Sequence, residues 1–507
     1  MNIKNIKTYI LSGILALSMS SCLDKYPEDS IRMDQAINTV DDMDKLVYGI
    51  YDSFKSSALY SGNLTILPDL QADFVYCVKG YSNAYGDIYR WKDIKATNTD
   101  IESVYGELYG VINTANFLLD NVDKVKANTN SDKELDKLEQ YQGEAYFARA
   151  LAYSELIKCF CKAYDSDEQA EKELGVVLTE HYYGNEPQKR ATLKESYDFV
   201  LRDLDKAAEY LKVDEDFTGT LYDEIYFNEY ACHALRARVS LYMHRWDDAI
   251  KYASKVIDSK YYVLASCTQK IGNTSYYQYQ WTAGKSTEGI WKVGFTVNSY
   301  GGALGTIFDN YNYVSYRPDY VPETWVINSF DANDLRAAAI FTTRTTGYEH
   351  GLQWPLLSKY FGDAEFLNNN ILHVHQPMVF RLSEQYLIRA EAYAMNGEYG
   401  KAGKDISTLR TARYSSYGGN TSMSDESSAM KIIEAERVKE LYMEGFRLND
   451  LKRWHKGFER KAADQPAANF VQSSLKVEKD DPLFVWPIPQ HELEAPGSEI
   501  QPNESNK

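Results

Sequence analysis

Apolar residues recur at three- and four-residue intervals over two long parts of the chain, and each such run predicts a helix with one buried face. Asp34 to Phe54 is the first, with Met43, Leu46, Val47, Ile50 and Tyr51 facing inward. Ile101 to Val122 and Leu135 to Ala163 follow as long amphipathic helices, and Arg149 in the second reads as a bundle residue awaiting a structural partner. At Thr192 to Leu211 the run opens on Thr192 with Glu195 three residues on, the pattern of a capping box. Phe227 to Ile257 then holds Trp246 and Ala249 at the spacing used by a tetratricopeptide helix pair. Between these runs, Lys55 to Asp100 reads as a long series of loops rich in Gly, Asn, Asp and Tyr. A second break, Lys260 to Pro377, shows only a short alternating stretch, Gly289 to Phe295, with the pattern of a strand.

The period returns at Arg381. Leu382, Tyr386, Leu387, Ala390, Tyr393 and Ala394 make one face, Asn396-Gly397 supplies a turn, and Tyr399, Ala402, Ile406 and Leu409 resume. Tyr399 and Ala402 repeat the relation of Trp246 and Ala249. The next stretch, to Trp454, is expected to bury Ile433, Val438, Leu441, Tyr442 and Trp454. Its Glu436, Glu440, Glu444, Arg447, Asp450 and Arg453 are spaced by three or four, so most fall on one stripe of a helix. Acids interleaved with arginines predict a clamp between helices rather than acid/base machinery. The expected fold is mostly α, a TPR-like scaffold of about four helix pairs with a loop-rich insertion at 260–378 that contains short β segments.

Composition changes this picture in two respects. The 42 tyrosines, in a chain that is 14% aromatic, exceed what a core of this size needs. The formal charge of −18 repels phosphate backbones and excludes nucleic acid as a partner; polyanionic ligands are disfavoured unless a local basic site escapes the average. The first residues carry Lys4 and Lys7, an apolar run from Tyr9 to Met19, then Ser20, Ser21 and Cys22. That is a secretory leader ending in a lipoprotein cysteine, too short to span a membrane. Cys77, Cys159, Cys161, Cys232 and Cys267 form no disulfide framework.

Two motifs in the C-terminal third, Arg381 to Ala392 (RLSEQYLIRAEA) and Glu436 to Trp454, resemble in order and spacing those of the SusD/RagB family of outer-membrane lipoproteins. Glu144 to Phe160 resembles a further helix of that family, with Cys161 where glycine is usual, and Trp486 to Glu492 (WPIPQHE) resembles its closing segment, although the final motif is reduced to Gln501-Pro502-Asn503. The resemblance implies a signal peptide at 1–21, lipidation at Cys22, an N-terminal region 22–230 and a C-terminal region 231–507. It also implies export to the outer-membrane surface, a SusC-like TonB-dependent transporter as partner, and capture of an oligosaccharide. By position it points to Tyr81, Tyr85, Tyr89, Trp91 and Asn98, opposed by Trp281, Tyr300, Tyr313, Tyr316 and Arg317, as glycan contacts. A peptide-capturing protein of the RagB type is the alternative within the fold. A surface glycoside hydrolase using two carboxylates is the alternative from another class.

Other chemistry has little support in the residues. Gly301-Gly302-x-x-Gly305 lacks the Lys-Ser/Thr ending of a phosphate loop. His373 and His375 alternate on an expected strand ahead of Pro377 without a third ligand at metal-site spacing, and Asp165-Ser166-Asp167 lacks the glycine and terminal glutamate of a calcium loop. No catalytic residue, cofactor or metal is expected, with calcium left open.

Overall fold

The computed structural model describes residues 36–182, 188–213, 219–348, 351, 353–461 and 473–507. The leader and Cys22 therefore lie outside the described residues. Helices α1 (Val40–Ser53), α2 (Asn63–Gln71), α3 (Thr99–Asn128), α4 (Asp132–Phe160), α5 (Leu193–Tyr210), α6 (Glu229–Tyr242), α7 (Trp246–Asp258), α8 (Leu382–Met395), α9 (Tyr399–Arg413), α10 (Glu426–Glu440) and α11 (Arg447–Arg453) form the frame.

The predicted pairs are present. Helix α3 lies against α4, α4 against α5, α6 against α7 and α8 against α9, and α7 packs on α8 across the whole insertion. Capping boxes start three of the frame helices, Thr39 with Asp42 on α1, Thr192 with Glu195 on α5 and Asp425 with Ser428 on α10. The approach of α4 to α5 depends on Gly143, where a Cβ would come within 2.7 Å of Tyr210. Arg149 fills its expected structural role there: it donates to both oxygens of Asp203, at 2.7 and 2.9 Å, and to Asn116 Oδ1 at 2.7 Å.

Two expectations are corrected. The 55–100 region is not loops throughout, because α2 runs through it with every residue from Asn63 to Gln71 buried. A helix buried on all sides shows no amphipathic period, and Pro68 inside it hides the signal further. The charged segment after Ile433 is two helices rather than one: α10 ends at Glu440, Met443 and Gly445 take φ of 59° and 83°, and α11 restarts at Arg447. Trp454, expected in the core, is half-buried beyond that break.

The break places three acids at the centre of the molecule. Arg381 donates to Glu288 (3.0 Å), Glu440 (2.6 Å) and Glu444 (2.8 Å), and Arg413 to Glu288 (2.9 Å) and Glu440 (2.8 Å). Arg336 reaches Asp334 and Glu436, both at 2.6 Å, and Glu440 at 2.9 Å. Burial works against ionisation of Glu436, but Arg336, Lys439 and Arg410 overcome it and hold its carboxyl at about 2. Glu288, Asp334 and Arg336 belong to the insertion; Arg381, Arg413, Glu436 and Glu440 belong to the helical frame. The clamp therefore fastens the irregular region to the regular one through charge-assisted hydrogen bonds.

Short antiparallel strand pairs organise the insertion itself. Strand β1 (Val75–Cys77) pairs with β3 (Tyr320–Pro322), β2 (Gly289–Lys292) with β6 (Met378–Arg381), and β4 (Phe341–Thr345) with β5 (Gln353–Leu357). The end of the chain lies across the bundle: Trp486 donates from its backbone to the Cys159 carbonyl (2.9 Å) and from its indole to Gln71 Oε1 (2.9 Å).

Candidate functional site

The β1–β3 pair brings together the two loop regions from which the candidate ligand residues were drawn. Beyond it, Val78 N–H donates to the Asp319 carbonyl (3.1 Å), and the Ser82 N–H and hydroxyl donate to the Asp319 carboxylate at 2.6 and 2.7 Å. Tyr81 then lies edge-on to Tyr320 at 5.7 Å, and Tyr320 donates to the Ala84 carbonyl at 2.6 Å. Tyr81, Tyr316 and Tyr348 share one apolar base of Tyr76, Val78, Val321, Trp354 and Leu356.

On that base stands a ridge of rings. Tyr311 stacks on Tyr316 at 4.5 Å and meets Tyr313 at 5.9 Å, and Tyr313 is 57% exposed beside Val314 at 88%. Asn310 and Tyr313 have φ of 39° and 67°. Such backbone costs roughly 1–3 kcal/mol per residue outside glycine and marks a loop held in place by its surroundings. Under the ridge, Asp309 is buried with one carboxylate oxygen unpartnered. Burial pushes its carboxyl well above the ordinary range, against a weaker pull from Arg344.

Four residues along, Tyr85 opens a second feature. It borders a cleft of about 450 Å³ together with Ser56, Ser57, Ser61, Asn63, Asp100, Ser103, Glu107 and Gly302. Asn83, Tyr85, Trp91 and Asp93 all have φ between 53° and 68°, so the wall shared by ridge and cleft is also strained backbone.

The ten predicted residues divide accordingly. Tyr81, Tyr313, Tyr316 and Arg317 are at the ridge and Tyr85 is at the cleft. Tyr300, 43% exposed, rests on Phe366 at 5.9 Å and stands apart from both. The other four have structural partners, and Tyr89 and Trp281, both buried, are corrections. Tyr89 is 0% exposed, against Tyr320 at 5.0 Å with the Arg460 guanidinium 3.9 Å over its ring. Trp281 is 1% exposed, covered by Lys359 Nζ 4.0 Å over its face. Trp91 is held between Phe458 (5.6 Å) and Phe484 (5.1 Å), with its indole N–H donated to the Gln71 carbonyl. Asn98 caps α3, accepting from the N–H groups of Asp100 and Ile101, both at 3.1 Å. Aromatic composition does not separate rings that build the frame from rings that face solvent.

Tyr348 and Arg344 were missed. The alternation of Phe341 to Thr345 and the glycine at 347 carry the signal of a hairpin, and its end delivers both residues to the ridge. The two histidines are not on a strand: His375 pairs through Nδ1 with Asp363 at 2.5 Å, and His373 Nε2 contacts the Tyr311 backbone. No cluster of three His, Cys, Asp or Glu suited to a metal occurs among the described residues.

Residues 22–241 match the family model described as "Starch-binding associating with outer membrane", and residues 341–503 match that of the SusD family. The chain belongs to the SusD/RagB family. Solved SusD-type structures share its fold. A SusD superfamily protein of Bacteroides thetaiotaomicron VPI-5482 is 23% identical with a TM-score of 0.76, over 92% of this chain and 99% of the other. A protein of Bacteroides vulgatus ATCC 8482 described as a putative sugar binding protein gives 23%, 0.75, 93% and 100%. One from the same strain described as a SusD-like carbohydrate binding protein gives 19%, 0.73, 91% and 98%. None of the curated proteins matches the chain. Like other SusD-type folds, this one is mostly helical with small sheets, and among the described residues no helix is long and apolar enough to cross a membrane.

Proposed function

We propose that this SusD-family protein is a lipid-anchored, outer-membrane glycan-binding protein that captures oligosaccharides and passes them to a SusC-like TonB-dependent transporter. The observation that carries the reading is the ridge of Tyr81, Tyr311, Tyr313, Tyr316 and Tyr348, assembled from three separate segments and seated on an irregular face that buried ion pairs fasten to the frame. Pyranose rings expose C–H faces that pack on such rings, and nearby polar groups take the hydroxyls. Anchoring would come through Cys22, where two or more acyl chains suffice for stable attachment. Relatives described as sugar- and carbohydrate-binding support the same ligand class.

A hydrolase is not favoured. The cleft's two carboxylates, Asp100 and Glu107, come from one face of α3, whereas a glycosidase needs two that flank the bond.

Calorimetry of the leader-free chain against oligosaccharide and peptide panels tests the proposal. The expected result is reversible binding of a saccharide without turnover, weakened at least about tenfold by joint replacement of Tyr313 and Tyr316 with alanine. Binding of peptides alone, or release of shorter sugars, would overturn it. Co-purification with a SusC-like barrel tests the partner.

A further inference from the structure

The ridge also carries two cations that are unusual in this chain. Every described arginine has a carboxylate within 4.0 Å except Arg190, Arg317, Arg344 and Arg460. Arg190 and Arg460 are buried and donate to backbone carbonyls, of Gly175 and Gln501 in the first case and of Tyr89 in the second. Arg317 is exposed and Arg344 partly so, and both stand at the ridge. The Arg344 guanidinium lies 5.3 Å over Tyr316, and that of Arg317 lies 5.7 Å over Tyr348.

The backbone makes this arrangement. Tyr316 bridges Thr346, and Gly347 N–H donates to the Tyr316 carbonyl at 2.9 Å, so the two arginine-bearing segments run side by side. Among the described residues, the acids nearby do not neutralise them. Asp319 is taken up by the Ser82 N–H and hydroxyl, and Asp309 is buried, feeling the Arg344 charge without touching it.

In a chain with a formal charge of −18, acids are abundant, and two accessible arginines without one form a local exception to the average field. A guanidinium lying on an aromatic face has lost part of its rotational freedom and keeps a planar fork of donors suited to two oxygens of one anion. Carboxylate and sulfate groups have that geometry.

Resting on the glycan-binding reading above, we propose that the ridge selects anionic saccharides: sugar rings pack on Tyr313 and Tyr316 while a carboxylate or sulfate substituent is received by Arg317 and Arg344. Neutral sugars then bind through the rings alone and more weakly.

The test is calorimetry of the leader-free chain with tetragalacturonate and its methyl ester, chondroitin sulfate and desulfated chondroitin tetrasaccharides, and neutral tetrasaccharides of glucose and mannose. An anionic member is expected to bind best, to lose about tenfold when its charge is removed, and to weaken as salt rises from about 50 to about 500 mM. The pair Arg317→Gln and Arg344→Gln should remove this preference, so that the anionic member binds no better than its uncharged counterpart, with the melting temperature unchanged. The uronate and sulfate arms show which anion is taken. If the best member is neutral and the glutamine pair changes nothing, the charge proposal falls and glycan binding stands; if no saccharide binds, both fall.

Discussion

The centre of the helical frame and the ridge of the irregular face use arginine in opposite ways. At the centre, Arg336, Arg381 and Arg413 are fully buried, each shared among two or three carboxylates. At the ridge, Arg317 and Arg344 lie on tyrosines with no carboxylate of the described residues in contact. A buried guanidinium without an acid would be too costly to keep, so the first set is fixed by folding. An exposed one is hydrated and costs little, so the second set is free to meet a ligand.

Removing a member of the central set should have the largest effect. Arg381→Ala leaves Glu288, Glu440 and Glu444 facing one another, and a loss of about 3–5 kcal/mol is expected from denaturant unfolding. Trp281→Ala comes next, at roughly 3–5 kcal/mol, because the ring is core. A variant that kept full stability and lost only ligand would return Trp281 to the site.

Thr192→Ala should cost about 1 kcal/mol by removing the capping box of α5, without altering ligand affinity. At the ridge the comparison reverses: Tyr313→Ala should stay within about 0.5 kcal/mol of the parent stability while binding falls.

The smallest effect depends on pH. Protonated His455 donates from Nε2 to Asp165 (2.9 Å) and from Nδ1 to Asp480 (2.6 Å); burial lowers its pKa, but the two acids outweigh this and raise it. A raised histidine contributes stability that is complete below its unfolded value and is lost as pH rises through the folded one. His455→Gln should therefore lower the melting temperature slightly at pH 5 and leave it unchanged at pH 9.

The same contrast explains what was legible in the sequence. Helices α3, α5 and α9 each bury one face, so their period was visible, and Thr192 marked a start within one residue. Helix α2 buries every face and had no period to read. The charged stripe was read as a clamp, and it is one, but Arg336 of the insertion meets Glu436 and Glu440 from 100 and 104 positions away, and Glu288 of the insertion meets Arg381 from 93, beyond the reach of helical spacing. At the site, the segments were found and the individual rings were not. Tyr89 and Tyr313 sit in equally polar, tyrosine-rich sequence, and only the tertiary packing of Tyr320 and Arg460 on the first separates them.

Trp486 lies more than 400 positions after Gln71, yet its indole is bonded to that side chain inside α2. A chain secreted unfolded, N-terminus first, would thus hold its earliest buried helix incomplete until its last few dozen residues had crossed. Maturation of the whole molecule waits on its tail, and an export intermediate stalled short of residue 486 should remain open to protease at α2 however long it is given.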